Sequence, residues 1–129
     1  KLGGTRLTLL SHPGHTKGSC SYLVEVTDAG KKYKVLIANL PSIIIDGKFS
    51  EVAAYPSIQN DYAYTFDAMK KLDFDLWVAS HASQFDLHEL RQPNDPYSPA
   101  IFGNKKAFFD VLSGLEKTYQ AKVKEEDRK

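Results

Sequence analysis

The chain has 129 residues, of which 42% are hydrophobic and 26% are charged, a composition typical of one soluble globular domain or of part of one. Lys and Arg number 17 against 16 Asp and Glu, so the net charge of +1 gives no basic field that would attract nucleic acid or an anionic membrane. The longest apolar stretch, around 36–45, is interrupted by Asn39, Pro41 and Ser42, so nothing here could span a membrane, and the single cysteine excludes an internal disulfide.

The first third of the chain predicts three β-strands. Residues 5–11 are rich in β-branched and aliphatic side chains, and they end at the turn HPGH, which places two histidines on a loop. Two further strands are predicted at 22–26 and 33–38. The polar turn at 27–32 joins them and contains Gly30, so these strands form a hairpin.

Helices and one more strand are predicted in the remainder. A helix at 61–72 follows the polar stretch 59–61, which can cap free backbone amides, and a short strand at 76–79 leads into His81. A proline-rich loop at 82–104 precedes a long closing helix, and the charged tail at 124–129 need not be ordered. The side chains interpreted as core aromatics are Tyr62, Tyr64, Phe66, Phe108 and Phe109. This element order indicates an α/β layered unit.

The stretch HPGHTKGS at 12–19 is the most informative. A strand-end loop held by Pro and Gly can aim the imidazole of His15 at a metal, and a neighbouring hydroxyl such as that of Thr16 can orient the ring. The alternative is a surface turn with solvated histidines, which is the commoner situation for one isolated histidine.

PGHTxGS at 13–19 resembles the second metal-binding signature of the metallo-β-lactamase superfamily. The resemblance implies zinc and half of the four-layer αββα sandwich, with His15 as a ligand and Thr16 beside it. ASHASQFDLH at 79–88 is similar to the last ligand segment of subclass B3 enzymes, the GOB type in particular, and implies a second ligand in His81. A strand-end histidine bonded to backbone is the alternative for His81. The similarity continues at 37–43, at 55–58 and in the closing helix.

The segment after the second hairpin strand distinguishes branches of the superfamily. Thioesterase and lactonase relatives place a metal-bridging Asp there, whereas this chain has Asn39 and Leu40, neither of which supplies an anion. This favours a β-lactamase over those branches. Subclass B3 more often has Ser where this chain has Leu40. Ser42 matches a serine that helps to bind the substrate carboxylate, with an ordinary loop serine as the alternative.

The resemblance implies two zinc ions, with His15 completing one site and His81 the other. The remaining ligands come from a His-x-His-x-Asp-His segment, with Gln first in GOB-type enzymes, which this chain lacks. We therefore interpret 1–129 as the C-terminal half of one domain that begins mid-gene. The whole enzyme, periplasmic or secreted by resemblance, would hydrolyse β-lactam antibiotics through zinc-activated water and confer antibiotic resistance. The isolated fragment should be inactive, and its sheet should expose an apolar face.

Other interpretations remain open. The chain could belong to a hydrolase of thioesters or lactones, or it could be a non-catalytic partner domain. His12 and His88 lie near the proposed ligands but are expected to be structural or solvated, and Cys20 is expected to be a buried structural thiol.

Overall fold

In a computed structural model, which describes residues 2–128, the chain forms a four-stranded sheet with its long helices on one face. The strands are β1 (Arg6–Ser11), β2 (Cys20–Asp28), β3 (Lys31–Ala38) and β4 (Leu76–Ala79). They lie in the order β1-β2-β3-β4, with β1 and β3 antiparallel to β2, and β4 parallel to β3. Because β1, β3 and β4 run in the same direction, the segments that follow them all leave from one end of the sheet, which we call the carboxyl end.

The predicted hairpin is confirmed, but its strands are longer and its turn is shorter than predicted. Pairing of β2 with β3 continues to Asp28 and Lys31, so only Ala29 and Gly30 remain in the turn. Their φ angles are 48° and 80°, which suits a tight two-residue hairpin. The longer turn predicted at 27–32 is wrong because its flanking residues continue the ladder.

Helix α1 (Ile58–Lys70) carries the predicted buried face but begins earlier than predicted. The side chains on this face, all at most 1% exposed, are Tyr62, Phe66 and Met69. The helix starts at Ile58 because that side chain is itself part of the core. The stretch 59–61 therefore lies in the first turn, and its predicted capping role is wrong. Ser57 occupies the cap position, and within the described residues its side chain makes no capping hydrogen bond.

The predicted strand at 76–79 is confirmed as β4, whereas the loop predicted after it contains short helices. These are a 3-10 helix at Ala82–Gln84, helix α2 (Leu87–Leu90) and a 3-10 helix at Pro99–Phe102. The closing helix α3 (Lys105–Glu126) is capped by Asn104, whose side chain accepts a hydrogen bond from the backbone of Ala107 at 3.0 Å. Such a cap satisfies an amide that has no partner within the helix.

Helix α3 extends into the charged segment 124–129. The Ser50 hydroxyl donates to the Glu126 carboxylate at 2.8 Å, which ties this end of the helix to the 3-10 helix at Phe49–Glu51. Lys129 lies outside the described residues. In the part of the chain that the structure describes, none of the helices is long and apolar enough to cross a membrane.

The core lies between the sheet and the two long helices. Leu36 of β3 and Trp77 of β4 are register partners, and they share one buried cluster with side chains from α1 and α3, such as Phe66 and Phe108. Tyr64 does not join this cluster: it is 56% exposed, because it lies two positions from Tyr62 and so on the other side of α1. Its interpretation as a core aromatic is wrong.

The other face of the sheet is apolar and open, as predicted. Its central positions form two cross-strand rows, Leu9–Tyr22–Ile37 and Leu7–Val24–Val35, which we call the open face. Leu9, Leu7 and Ile37 are 61%, 55% and 39% exposed. A sheet buries apolar surface on both faces in a layered domain, so this chain has the layers of half an αββα sandwich.

Candidate metal centre

The two candidate ligands follow strands that end at the carboxyl end of the sheet. His15 lies on the loop after β1, and His81 lies two residues after β4. Ser42 lies on the segment after β3, and β3 lies between β1 and β4 in the sheet. The direction of β1 and β4 therefore places both histidines on segments that leave from the carboxyl end of the sheet.

The His15 loop depends on a glycine at position 14. Gly14 has a φ of +133°, a conformation that L side chains rarely adopt, and a Cβ built there would lie 2.8 Å from Cδ1 of Tyr62. A hydrogen bond from the amide of His12 to the carbonyl of Ser19, at 2.9 Å, closes the base of the loop. The Pro-Gly-His sequence thus lets the loop approach α1 closely while it reverses direction.

The imidazole of His15 is oriented by Ser42. Its Nδ1 lies 2.7 Å from the Ser42 carbonyl oxygen and 3.1 Å from the Ser42 hydroxyl. A carbonyl oxygen only accepts hydrogen bonds, so Nδ1 carries the proton and donates it. In the neutral form of the ring, the lone pair then lies on Nε2. This is the arrangement that metal-ligating histidines use, with one ring nitrogen held by the protein and the other free for the metal.

Thr16 stabilises the loop. Its hydroxyl lies 2.8 Å from the Ser19 hydroxyl, which also accepts a hydrogen bond from the Thr16 amide at 3.0 Å. Thr16 was expected to orient the His15 ring, but the hydrogen-bond partner of that ring is Ser42, which is 27 positions away.

His81 occupies a more open position. Its side chain is exposed, and its backbone begins the 3-10 helix at Ala82–Gln84. The His81 amide donates to the Gln84 side chain at 3.2 Å, and its carbonyl accepts from the Gln84 amide at 3.0 Å. The backbone of this turn is therefore fixed, and the imidazole is accessible to a ligand.

Comparisons with known proteins show what this chain is similar to. Protein-family models and curated proteins gave no match, but solved structures did. The metallo-β-lactamase GOB-18 from Elizabethkingia meningoseptica is 65% identical, with a TM-score of 0.95 over 97% of this chain and 46% of its own. The class B3 di-zinc metallo-β-lactamase LRA-12 from an Alaskan soil metagenome is 53% identical, with a TM-score of 0.92 over 94% and 46%. By sequence and by fold, the chain is similar to just under half of a subclass B3 metallo-β-lactamase.

A β-lactamase from Chitinophaga pinensis gives the same result, at 49% identity and a TM-score of 0.93 over 96% of this chain and 47% of that one. The chain therefore spans just under half the length of these three proteins. This extent agrees with the expectation from the two motifs that the chain resembles half of a B3 domain.

The donor set fits part of a B3 zinc site. Among residues 2–128, no group of three or more His, Cys, Asp or Glu side chains could hold a metal ion. A catalytic zinc takes about three protein ligands. His15 and His81 offer one suitable nitrogen donor each, which is the number that the resemblance implies for this half.

The other histidines have different roles. His12 is 3% exposed, and its Nδ1 lies 2.7 Å from the Ser21 hydroxyl, so it is a structural residue of the core margin. Burial lowers the pKa of His12 below its ordinary value and keeps its ring neutral. His88 is exposed on α2.

Cys20 is half-buried rather than buried. Its thiol donates to the hydroxyl of Tyr22 at 3.6 Å, two positions along the same face of β2. The expected structural role fits this contact, but the expected burial is wrong because the pair lies on the face of β2 turned away from the helices.

Sequence reasoning missed the residues of α1 that hold the His15 loop. Thr65, which is fully buried, donates its hydroxyl to the Pro13 carbonyl. Tyr62, interpreted only as a core aromatic, donates its hydroxyl to the Ser42 carbonyl at 2.8 Å. The signal available in the sequence was the spacing of Tyr62 and Thr65, three positions apart on one helix face.

Proposed function

We propose that this chain supplies two ligands of the zinc-binding site of a β-lactamase, and that the complete site hydrolyses the amide bond of β-lactam antibiotics. The observation that carries the proposal is the hydrogen bond from His15 Nδ1 to the Ser42 carbonyl, which leaves Nε2 free to bind a metal. The identity of 65% with the metallo-β-lactamase GOB-18 supports the choice of reaction.

In this proposal His15 binds one zinc ion through Nε2, and the exposed imidazole of His81 binds the other. Zinc held by these residues would supply a bound water with a pKa of about 7 and a Lewis acid for the substrate carbonyl. Ser42, half-buried beside His15, is assigned to the carboxylate of the substrate. No side chain of this chain acts as the nucleophile, so no acyl-enzyme forms.

The remaining ligands are assigned to a complementary N-terminal half of the same domain. Two zinc sites require about five or six protein ligands, and this chain offers two. The open face gives the complementary half a surface to cover, since Leu7 and Leu9 are more than half exposed. Residues 1–129 alone should therefore be inactive. We assign the complete enzyme to the periplasm or the exterior of the cell.

The chain should become active when it is joined to the half of GOB-18 that it does not match. We expect zinc-dependent hydrolysis of a chromogenic cephalosporin that stops when a chelator is added. His15→Ala and His81→Ala should each reduce the rate about 100-fold or more, through loss of metal. His88→Ala is the matched control, because His88 is an exposed histidine of the same segment and should leave the rate unchanged.

Three results would reject the proposal. Hydrolysis that survives both chelation and His15→Ala would exclude the zinc mechanism. Zinc-dependent turnover confined to thioesters or lactones would favour the other hydrolase branches, although Asn39 and the buried Leu40 provide no bridging carboxylate. A joined protein that folds and binds no zinc would favour a non-catalytic partner domain.

A further inference from the structure

A single carbonyl group joins the metal-ligand candidate to the helical core. The Ser42 carbonyl oxygen accepts one hydrogen bond from His15 Nδ1 at 2.7 Å and a second from the Tyr62 hydroxyl at 2.8 Å. A carbonyl oxygen has two lone pairs, so these two donors occupy its full capacity. The direction of this carbonyl is therefore set from one side by the histidine and from the other side by the tyrosine.

The tyrosine is the rigid partner of the two. Tyr62 is 1% exposed, and its ring lies among three other aromatic rings. The distances between ring centroids are 5.7 Å to Phe49, 6.1 Å to Tyr119 and 6.4 Å to Phe66. Burial raises the pKa of Tyr62 to about 12, so its hydroxyl keeps its proton at physiological pH. The core therefore presents a fixed donor to the Ser42 carbonyl.

The same stretch of α1 also holds the backbone before His15. The ring of Tyr62 closely approaches Gly14, and the Thr65 hydroxyl donates to the Pro13 carbonyl. Helix α1 thus fixes both ends of the hydrogen bond between His15 and Ser42. A rotation of the Ser42 carbonyl or of the His15 ring would lengthen that bond.

We propose that Tyr62 is a positioning residue for the metal ligand: through the Ser42 carbonyl it holds His15 in the tautomer protonated on Nδ1 and directs Nε2 towards the metal. The part of this inference that concerns metal binding rests on the proposed function. The part that concerns the tautomer stands on the hydrogen bonds of the chain itself.

Tyr62→Phe tests the inference, since it removes the hydroxyl and keeps the ring. Tyr119→Phe is a matched control, because Tyr119 is in the same aromatic cluster and donates its hydroxyl to the Gln59 carbonyl at 3.1 Å, away from the His15 loop. Long-range proton–nitrogen NMR on the metal-free joined protein reports which ring nitrogen of His15 is protonated, with His15→Ala assigning the signal. We expect the Nδ1-protonated form alone in the parent and in Tyr119→Phe, and a mixture of both tautomers in Tyr62→Phe.

Zinc affinity, measured by competition with a chelating dye, gives a second readout. We expect Tyr62→Phe to weaken zinc binding about tenfold, the lower end for loss of a group that orients a ligand, and Tyr119→Phe to leave it unchanged. An unchanged tautomer together with an unchanged affinity in Tyr62→Phe would overturn the inference. Full zinc affinity in His15→Ala would instead reject the ligand assignment, even where Tyr62→Phe alters the tautomer.

A further measurement does not depend on the folding of any variant. In the metal-free parent, the Tyr62 hydroxyl proton and the His15 Nδ1 proton should both exchange slowly with water, because both are held on the Ser42 carbonyl. Fast exchange of the Tyr62 hydroxyl proton, with signals from both His15 tautomers, would overturn the inference.

Discussion

The two candidate ligand loops differ in how firmly the rest of the chain holds them. The His15 loop has a glycine packed closely against α1, a hydroxyl of α1 that donates to its backbone, and a ring hydrogen-bonded to Ser42. The His81 turn is held through the backbone and side chain of Gln84, and its imidazole is exposed.

This difference indicates unequal degrees of preorganisation. A ligand that is already oriented loses little conformational entropy when it binds metal, whereas a free imidazole must be immobilised at that step. We therefore expect His15 to be oriented before the metal binds. His81 should become ordered only when the metal or the complementary half is present. Mutations that loosen the first loop should have large effects, and mutations in the second turn should have small ones.

The largest effect is expected at Gly14. Gly14→Ala adds a Cβ only 2.8 Å from the Tyr62 ring in a backbone conformation that disfavours alanine, so the free energy of unfolding should fall by about 3 kcal/mol. Gly18→Ala is the control from the same loop. A Cβ there meets nothing within 4 Å in the described part of the chain. Denaturant unfolding of the joined protein measures both, and equal losses would show that the loop is not held against α1.

A smaller loss is expected at Thr65. Thr65→Val keeps the shape of a fully buried side chain but removes the donor to the Pro13 carbonyl, which should cost about 2 kcal/mol. Thr118→Val is the control, because Thr118 makes the same kind of hydrogen bond, to the Gly114 carbonyl, on the exposed side of α3. Thermal unfolding that does not separate the two variants would remove Thr65 from the set of residues that hold the loop.

The buried His12 beneath the loop should make stability depend on pH. In the unfolded chain His12 binds a proton near its ordinary pKa of 6.5, whereas burial lowers that pKa in the folded chain. Its contribution is therefore complete above about pH 6.5 and is lost as the pH falls below that value. We expect the free energy of unfolding to fall less steeply from pH 7 to pH 5 in His12→Asn than in the parent, with the exposed His88→Asn behaving as the parent. Superimposable profiles for all three would contradict this.

Local sequence signals were sufficient to predict the strands, whereas His15 and His81 were predicted as ligands from the resemblance of 13–19 and 79–88 to metal-binding segments. The Pro-Gly pair before His15 marks a turn after a β-branched run, and such a signal needs no knowledge of distant residues. The strand at 76–79 is similarly marked by its apolar run before Ser80. The segments that follow β1 and β4 leave from the carboxyl end of the sheet. The hairpin and the helix between β3 and β4 set the order and direction of the strands that place them there.

The contacts that orient His15 could not be predicted in this way. They join residues 20 to 52 positions apart, such as Tyr62 to Ser42 and Thr65 to Pro13, and they exist only because α1 packs across the loop. The early start of α1 is also a result of tertiary packing, because Ile58, the first residue of the helix, is part of the core. A tyrosine at helical spacing predicts burial, but the partner of its hydroxyl is a tertiary property.

The smallest effect is expected in the His81 turn, and it gives the sharpest test of the comparison. Gln84→Ala removes an exposed hydrogen bond of 3.2 Å to the His81 amide, so it should change the free energy of unfolding by about 0.5 kcal/mol or less, as in Gln92→Ala on the neighbouring exposed segment. Zinc affinity of the joined protein should change by less than about threefold, because the imidazole of His81 would be ordered by the metal and not by Gln84. A tenfold loss of zinc affinity in Gln84→Ala, with Gln92→Ala unaffected, would mean that the His81 turn is as preorganised as the His15 loop. The two loops would then contribute alike, and the stronger hold of α1 on one of them would have no consequence for metal binding.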